Sequence, residues 1–330
     1  MASSHASKPA IYAALAGNLA VAVTKFGAAA WTGSSSMLSE AVHSLVDTLN
    51  EVLLLYGLHR SAQRPDAEHP LGHGRELYFW SFVVALLVFA LGAGVSIYEG
   101  VVHLRDPEPI QSPMVAYAVL ALSLVFESIS WAVAYRQFRA SNPDRGVLSA
   151  IRRSKDPATF TVLLEDTAAV IGLGIALLAT YAAHELGRPE FDAIGSLAIG
   201  GLLGVTALIL ARETKGLLIG EPADRAISDL ILRVARDQRG VASANGVITT
   251  HLAPDQITAS ISIEFDDDLR TPDIERVVDA IEKQVRGAAP AVTMLFVKPQ
   301  TARGYATARA RRFGVEEPPV FETASQTREA

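Results

Sequence analysis

Six stretches of this chain are apolar for long enough to cross a bilayer, and that pattern constrains the fold more than any motif in it. A hydrocarbon core needs about 20 mostly apolar residues in a helix, and residues 10–31, 37–58, 77–104, 113–138, 158–184 and 193–210 each meet that test. Lipid offers the backbone no hydrogen-bond partners, so each segment must satisfy its own, as a helix does. The fold class that follows is a membrane all-α six-helix bundle over residues 10–220. Half of the 330 residues are apolar, far more than a soluble domain of that length needs. Orientation comes from Lys and Arg in the short connections. Arg60, Arg64 and Arg75 in the second, and Arg136, Arg139, Arg145, Arg152, Arg153 and Lys155 in the fourth, stand against Arg105 and Arg188 on the other side. That asymmetry puts both termini in the cytoplasm. The opening MASSHASKPA has one lysine and no small-residue cleavage site, so residues 1–9 read as a cytosolic stub, and a chain without a transit peptide points to a bacterial inner membrane.

After Gly220 and Pro222 the texture becomes that of a soluble domain. Ile227, Leu230, Ile231, Val234 and Ala235 fall at helical spacing, and Ile257, Ala259, Ile261, Ile263 and Phe265 alternate with period two. Thr271-Pro272-Asp273 then starts a helix with Ile274, Val277, Val278 and Ile281 on one face. With strands at 247–252 and 292–298 the order is α-β-β-α-β, a small cytosolic α+β domain over residues 221–300 with two helices covering a sheet. Residues 301–330 are polar and rich in Arg, Ala and Thr, a composition that predicts disorder. Absence of cysteine excludes disulfides, thiolate metal sites and thiol catalysis, and a net charge of −6 gives no reason for a nucleic-acid partner.

Ionisable residues at bilayer depth are costly and face a bundle interior or a cavity, which makes each a functional candidate. In SEAVHSLVDTLNEVLLLYG, His43 and Asp47 are four apart and share a helix face that Asn50 continues. An imidazole and a carboxylate at that spacing make half of a tetrahedral site for a divalent metal; the alternative is a His–Asp contact that holds helices together. VLLEDTAAVIG brings Glu165 and Asp166 to a similar depth, where Asp47 and Asp166 can converge on one ion. Glu127 in LVFESISW is a further acid inside a span, read as a proton relay or a helix contact, the same reading that Asn50 carries. Lys25 reads as snorkelling or paired with an acid, Asn18 as bonding across helices, and Asp192 as a cap.

HSLVD, the loop RPDAEHPLGHGRE, six spans and the α-β-β-α-β tail resemble the cation diffusion facilitator family of metal transporters. KDPATFTVLLEDTAAVIG and FESISW narrow the likeness to the branch that resembles zinc transporter nine. The resemblance implies a homodimer, joined through the C-terminal domain and spans, that exchanges a divalent cation, most often zinc, for protons. It also implies a second, loop metal site at Asp66, His69 and His73, against which stands the plain reading of solvated loop histidines. Family members place HxxxD in the fifth span too; with Asp166 in that Asp slot, the His slot holds Val162. Neighbours on a helix point about 100° apart, so Glu165 cannot simply replace a residue one turn away. The transport site is therefore read as His43, Asp47 and Asp166, with Glu165 completing the shell, relaying protons, or bonding a neighbouring helix. This oxygen-rich set keeps Zn2+ first as transported substrate and makes Mn2+, Fe2+ or Co2+ more plausible, with no organic cofactor. In the tail, Asn245, Ser262 and Lys298 stand where many family members have metal ligands, and His251 is the lone tail histidine.

Two other functions compete with proton-coupled cation efflux. An intramembrane metal hydrolase would need HExxH or a comparable two-His helix, which the sequence lacks, so no enzyme is expected. A metal-binding membrane scaffold or regulator without transport draws support from the missing fifth-span histidine.

Overall fold

A computed structural model describes residues 8–141, 143 and 146–314. Most of the stub, residues 1–7, and the tail beyond 314 lie outside the described residues. The chain divides into two compact units, Met1–Ile219 and Gly220–Ala330.

The first unit consists of α1 (Lys8–Thr32), α2 (Ser35–Ser61), α3 (Glu76–Leu87), a π-helical turn (Val88–Ala93), α4 (Gly94–Arg105), α5 (Pro113–Ser141), a short α6 (Val147–Arg153), α7 (Pro157–Glu185) and α8 (Glu190–Ile219). The π turn joins α3 to α4 as one rod. Among the described residues four rods, Glu76–Arg105, Pro113–Ala140, Pro157–Glu185 and Glu190–Ile219, are long and apolar enough to cross a membrane by length and composition. The sequence predicts six. The other two, α1 and α2, reach 25 and 27 residues, and α2 is set apart by its three carboxylates, Glu40, Asp47 and Glu51.

Helix α2 packs against α1, α3, α4, α7 and α8, so its polar residues fall inside the bundle. Met37, Val46, Leu173, Ile199 and Leu203 belong to the buried apolar core around them. Helix α5 is peripheral: Leu122, Phe126, Ile129 and Val133 expose a stripe along one side. From the same helix Glu127 reaches Lys25 of α1 and Ser130 reaches Asp166 of α7. Small residues let α4 and α8 approach closely, as in other membrane helix pairs. A Cβ on Gly100 would come within 2.7 Å of Leu197, and Ser196 donates to the Ser96 carbonyl at 2.8 Å while meeting Ser39 of α2 at 2.6 Å.

The start of α2 is fixed from another helix. Its N-cap is Ser34, whose hydroxyl accepts from the Met37 N–H. Asp192, in the first turn of α8, accepts from the N–H groups of Ser35 at 2.6 Å and Ser36 at 3.3 Å and from the hydroxyls of Ser34, Ser35 and Ser36. Asp192 is thus a cap, as its sequence context suggests, but for the N–H groups that α2 leaves open rather than those of its own helix.

The second unit runs α9 (Arg225–Arg236), β1 (Val241–Ala253), β2 (Gln256–Phe265), α10 (Thr271–Ala288), β3 (Val292–Pro299) and α11 (Ala302–Phe313). The sheet order is β1-β2-β3, with β1 antiparallel and β3 parallel to β2. The alternation in β2 buries Ile257, Ala259, Ile261 and Ile263 against Ile231 and Ala235 of α9 and Ile281 and Val285 of α10. Strand β1 begins at Val241, six residues before the strand expected at 247–252. Its Val-Ala-Ser-Ala-Asn-Gly start shows no such pattern and pairs with Ile263 and Phe265 through two register shifts. Residues 302–313, expected to be disordered, form α11 instead. Thr301 caps it by accepting from the Gly304 N–H, and Tyr305 packs on Gly246 of β1, where a Cβ would collide with the phenol.

The Asp192 clamp makes a testable statement about stability. Asp192→Ala should destabilise the helical unit by at least the roughly 1–2 kcal/mol of a lost cap, and Asp192→Asn, which keeps an acceptor, by less; melting temperatures of the purified protein in detergent measure both.

Candidate metal sites

The polar stripe of α2 and the acidic pair of α7 meet at a small cavity of about 60 Å³. Asp47 and Glu51 of α2, Glu165 and Asp166 of α7 and Glu127 of α5 line it, together with Asn18, Ser44, Ser130 and Val162. Sites for organic ligands are far larger, about 300–1,000 Å³, so this space suits an ion with a few waters. Each helix supplies its donors for a local reason. On α2 the steps 43, 47 and 51 keep one face. On α7, Asp156 caps the first turn by accepting from the Ala158 and Thr159 N–H groups, with Pro157 next to it.

The carboxylates take partners from other helices. Asn50 donates to Glu165 at 2.6 Å, Ser130 to Asp166 at 3.0 Å and Asn18 to Glu51 at 2.7 Å. Lys25, 1% exposed, lies 3.3 Å from Glu40, 2.7 Å from the Ser44 hydroxyl and 4.0 Å from Glu127. Both Lys25 expectations narrow to one: it pairs with acids inside the protein. His43 is buried and sits 3.3 Å from Asp47, does not line the cavity, and among the described residues has hydrogen-bond partners at neither ring nitrogen. Of the four residues read as transport ligands, the structure therefore brings Asp47, Glu165 and Asp166 to one cavity and leaves His43 behind Asp47. Val162 lines that cavity too, so the slot without an imidazole faces the same space as the acids. Glu165 is buried and bonded to Asn50 of a neighbouring helix.

Four participants escaped the sequence reading: Glu40, Glu51, Ser44 and Ser130. Glu40 precedes His43 by three residues and Glu51 follows Asp47 by four, so extending the His43–Asp47 face one turn each way would have found both.

The loop between α2 and α3 is more closely assembled. Asp66, His69 and His73 each offer a ligand atom within 4.8 Å of the others, and among the described residues no other three acids or imidazoles do so. Asp66 accepts from the N–H groups of Glu68 and His69, and from the His73 ring at 3.0 Å. The His69 and His73 rings lie 4.4 Å apart. His73 is buried, its Nδ1 without a partner among the described residues, whereas His69 is exposed. The backbone N–H of His69, then the His73 ring, hold the Asp66 carboxyl down at about 2. A carboxylate plus two imidazoles is a donor set that zinc accepts.

In the second unit Asn245 donates to Ser262 and to the Gln300 carbonyl, and Ser262 pairs across strands with Lys298. Those positions do cluster, as hydroxyl, amide and ammonium rather than as metal ligands. His251 is buried against the Ala253 carbonyl, and Asp266, Asp267 and Asp268 form an exposed turn.

The cation efflux transmembrane domain matches residues 11–219. The chain belongs to that family. It is similar to "Proton-coupled zinc antiporter SLC30A9, mitochondrial" of Xenopus laevis, 35% identical over 266 residues, 78% of this chain and 47% of the relative. "Metal tolerance protein C4" of Arabidopsis thaliana is 34% identical over 262 residues, 78% of this chain and 57% of that one. "Cation-efflux pump FieF" of Yersinia enterocolitica is 26% identical over 280 residues, 83% of this chain and 86% of that one. The chain spans about half the length of the frog and plant relatives. Membership, with the apolar helices, makes this cation efflux family protein an integral membrane protein; the family is the one that HSLVD and its following loop resemble.

Asp66 gives the loop a defined acid response. Its folded value is depressed below the usual carboxylate range near 3.9, so its contribution to loop order is full above that range and is lost as pH falls through about 2. A carboxyl-carbon NMR titration should find the midpoint near 2 in the wild type and a higher one in His73→Ala.

Proposed function

We propose that this protein exports a divalent cation, zinc before manganese, iron or cobalt, in exchange for protons. The observation that carries the proposal is the convergence of Asp47 with Glu165 and Asp166 on one small cavity inside a bundle of apolar helices. Acids in such surroundings have two ways to be neutral: they take protons or they take a cation. Metal ligands must be deprotonated, so cation entry expels protons and reprotonation releases the cation. That exclusion couples the two fluxes with no further machinery.

Asp47 and Asp166 act as ligands, His43 joins from behind Asp47, and Glu165 completes the shell or carries the proton. The names of the frog and plant relatives, a zinc antiporter and a metal tolerance protein, support metal as the substrate. In this reading α1, α2, the α3–α4 rod, α5, α7 and α8 are six spans, both termini face the cytoplasm, and the chain works as a homodimer through its sheet domain and spans. Asp66, His69 and His73 form a second metal-binding site that takes the cation in the loop. The membrane is one that holds a proton gradient; bacterial and mitochondrial inner membranes both meet that requirement. A metal-binding scaffold that does not transport is separated from this reading by flux alone.

Reconstituted vesicles with an imposed pH gradient supply the test, with zinc, manganese, cobalt and iron offered in turn. Wild-type protein should move zinc. Asp47→Ala and Asp166→Ala should each lose more than the roughly 10–100-fold that removal of an outer partner costs a metal site. Zinc retained by the purified protein with no gradient-driven flux would favour the scaffold. Glu165→Gln, which preserves an acceptor for Asn50, should keep zinc binding measurable while reducing the response of flux to the gradient.

A further inference from the structure

The cavity holds more acid than one divalent ion can balance. Five carboxylates line it, and a zinc ion carries two charges and takes about four ligands. Three of the five are held by neutral donors: Glu51 by Asn18, Glu165 by Asn50 and Asp166 by Ser130. Asp47 meets the His43 ring. Glu127 is the exception, because its partner among the described residues is a cation, Lys25, at 4.0 Å.

Lys25 is itself pinned. An ammonium has three donors and no acceptor, and here Ser44 and Glu40 of α2 take two of them, at 2.7 and 3.3 Å. Glu40 is wholly buried, with Oε1 lacking a hydrogen-bond partner among the described residues. That oxygen lies against Gly172 of α7, where any Cβ would collide with it. The ammonium is therefore anchored on α2 and reaches toward Glu127 from the protein side, while the same carboxylate lines the cavity from the other.

We propose that Lys25 is a specificity-determining residue: by opposing the charge of Glu127, it withholds that carboxylate from the ion and keeps the ligand set small enough to favour zinc over harder cations. Four-coordinate sites suit zinc, whereas added carboxylate oxygens move preference toward manganese. Loss of a nearby positive charge would tighten every divalent ion alike; only release of Glu127 as an additional oxygen ligand changes the ratio between two of them. This inference rests on the transport-site reading above.

The experiment measures dissociation constants for zinc and manganese on the purified full chain by competition with a chelating dye. Removing Lys25 alone would leave Glu40 buried and unpaired, so the informative variant replaces both partners, Lys25→Met with Glu40→Gln, as buried pairs tolerate better than single deletions. Its zinc-to-manganese preference should fall by about tenfold, the scale of one partner at a metal site. Adding Glu127→Gln should restore the wild-type ratio, and Lys25→Arg, which keeps the charge, should hold it. Glu127→Gln alone, which leaves the Lys25–Glu40 pair in place, should leave the ratio at its wild-type value. An unchanged ratio in the double variant overturns the inference, as does a shifted ratio that Glu127→Gln fails to reverse, or a ratio that Glu127→Gln shifts by itself. Should the double variant not fold, Lys25→Gln with Glu40→Gln, which removes the same charges but keeps polar groups at both positions, is read against the same ratio, with the same two outcomes. Zinc affinity in the wild type that Asp47→Ala and Asp166→Ala leave untouched would instead remove the transport site itself.

Discussion

A carboxylate inside an apolar helix bundle has to be matched by a donor or a cation, and the arrangement of the first unit follows from meeting that demand several times over. The donors come from across helix boundaries: Asn18 on α1 for Glu51 on α2, Asn50 on α2 for Glu165 on α7, Ser130 on α5 for Asp166 on α7. Bonds of this sort are a main attraction between membrane helices, where water drives no association within the hydrocarbon. The groups that glue α1, α2, α5 and α7 together are thus the groups around the cavity. In the proposed transport site, substrate binding and helix packing would draw on the same atoms, so a cation that recruits these acids would change the contacts that position the helices.

The two candidate metal sites differ in how far they are assembled beforehand. In the loop, Asp66 is already oriented by two backbone N–H groups and by His73, so an incoming ion pays little for ordering its ligands. In the bundle the acids surround a space but are each engaged elsewhere, and an ion collecting them would compete with the Asn and Ser donors on three of them. A site of the first kind captures; a site of the second kind exchanges, since its occupied and empty forms are closer in free energy.

Much of this was legible in the sequence because it rests on periodicity. The alternation Ile257 to Phe265 became β2 with its apolar face inward, and His43 with Asp47 gave the face of α2 that turns toward the interior. What was not legible depends on contacts between distant segments. Asp192 sits in a first turn, where its own helix is the nearest claimant, yet the serines it serves are more than 150 residues away. Glu40 looks like an ordinary early-helix acid until Lys25 and the bare surface of Gly172 are brought beside it. The helix Ala302–Phe313 was hidden because arginine-rich composition argues for disorder, while its order comes from Tyr305 lying on a glycine in β1. Helix α2 shows the same limit from another side: a stretch apolar enough to read as a span also carries three acids.

The junction at Asp192 has a geometric corollary. From Ser36, which it holds, to Asp47 is eleven residues, or about 16 Å along a helix at 1.5 Å per residue. Because α2 is gripped at its first turn by α8, that length is a fixed ruler laid from the end of one helix to the acids of another. Any sliding of α8 along its axis carries the ruler with it and resets the depth of Asp47 relative to Asp166 on α7.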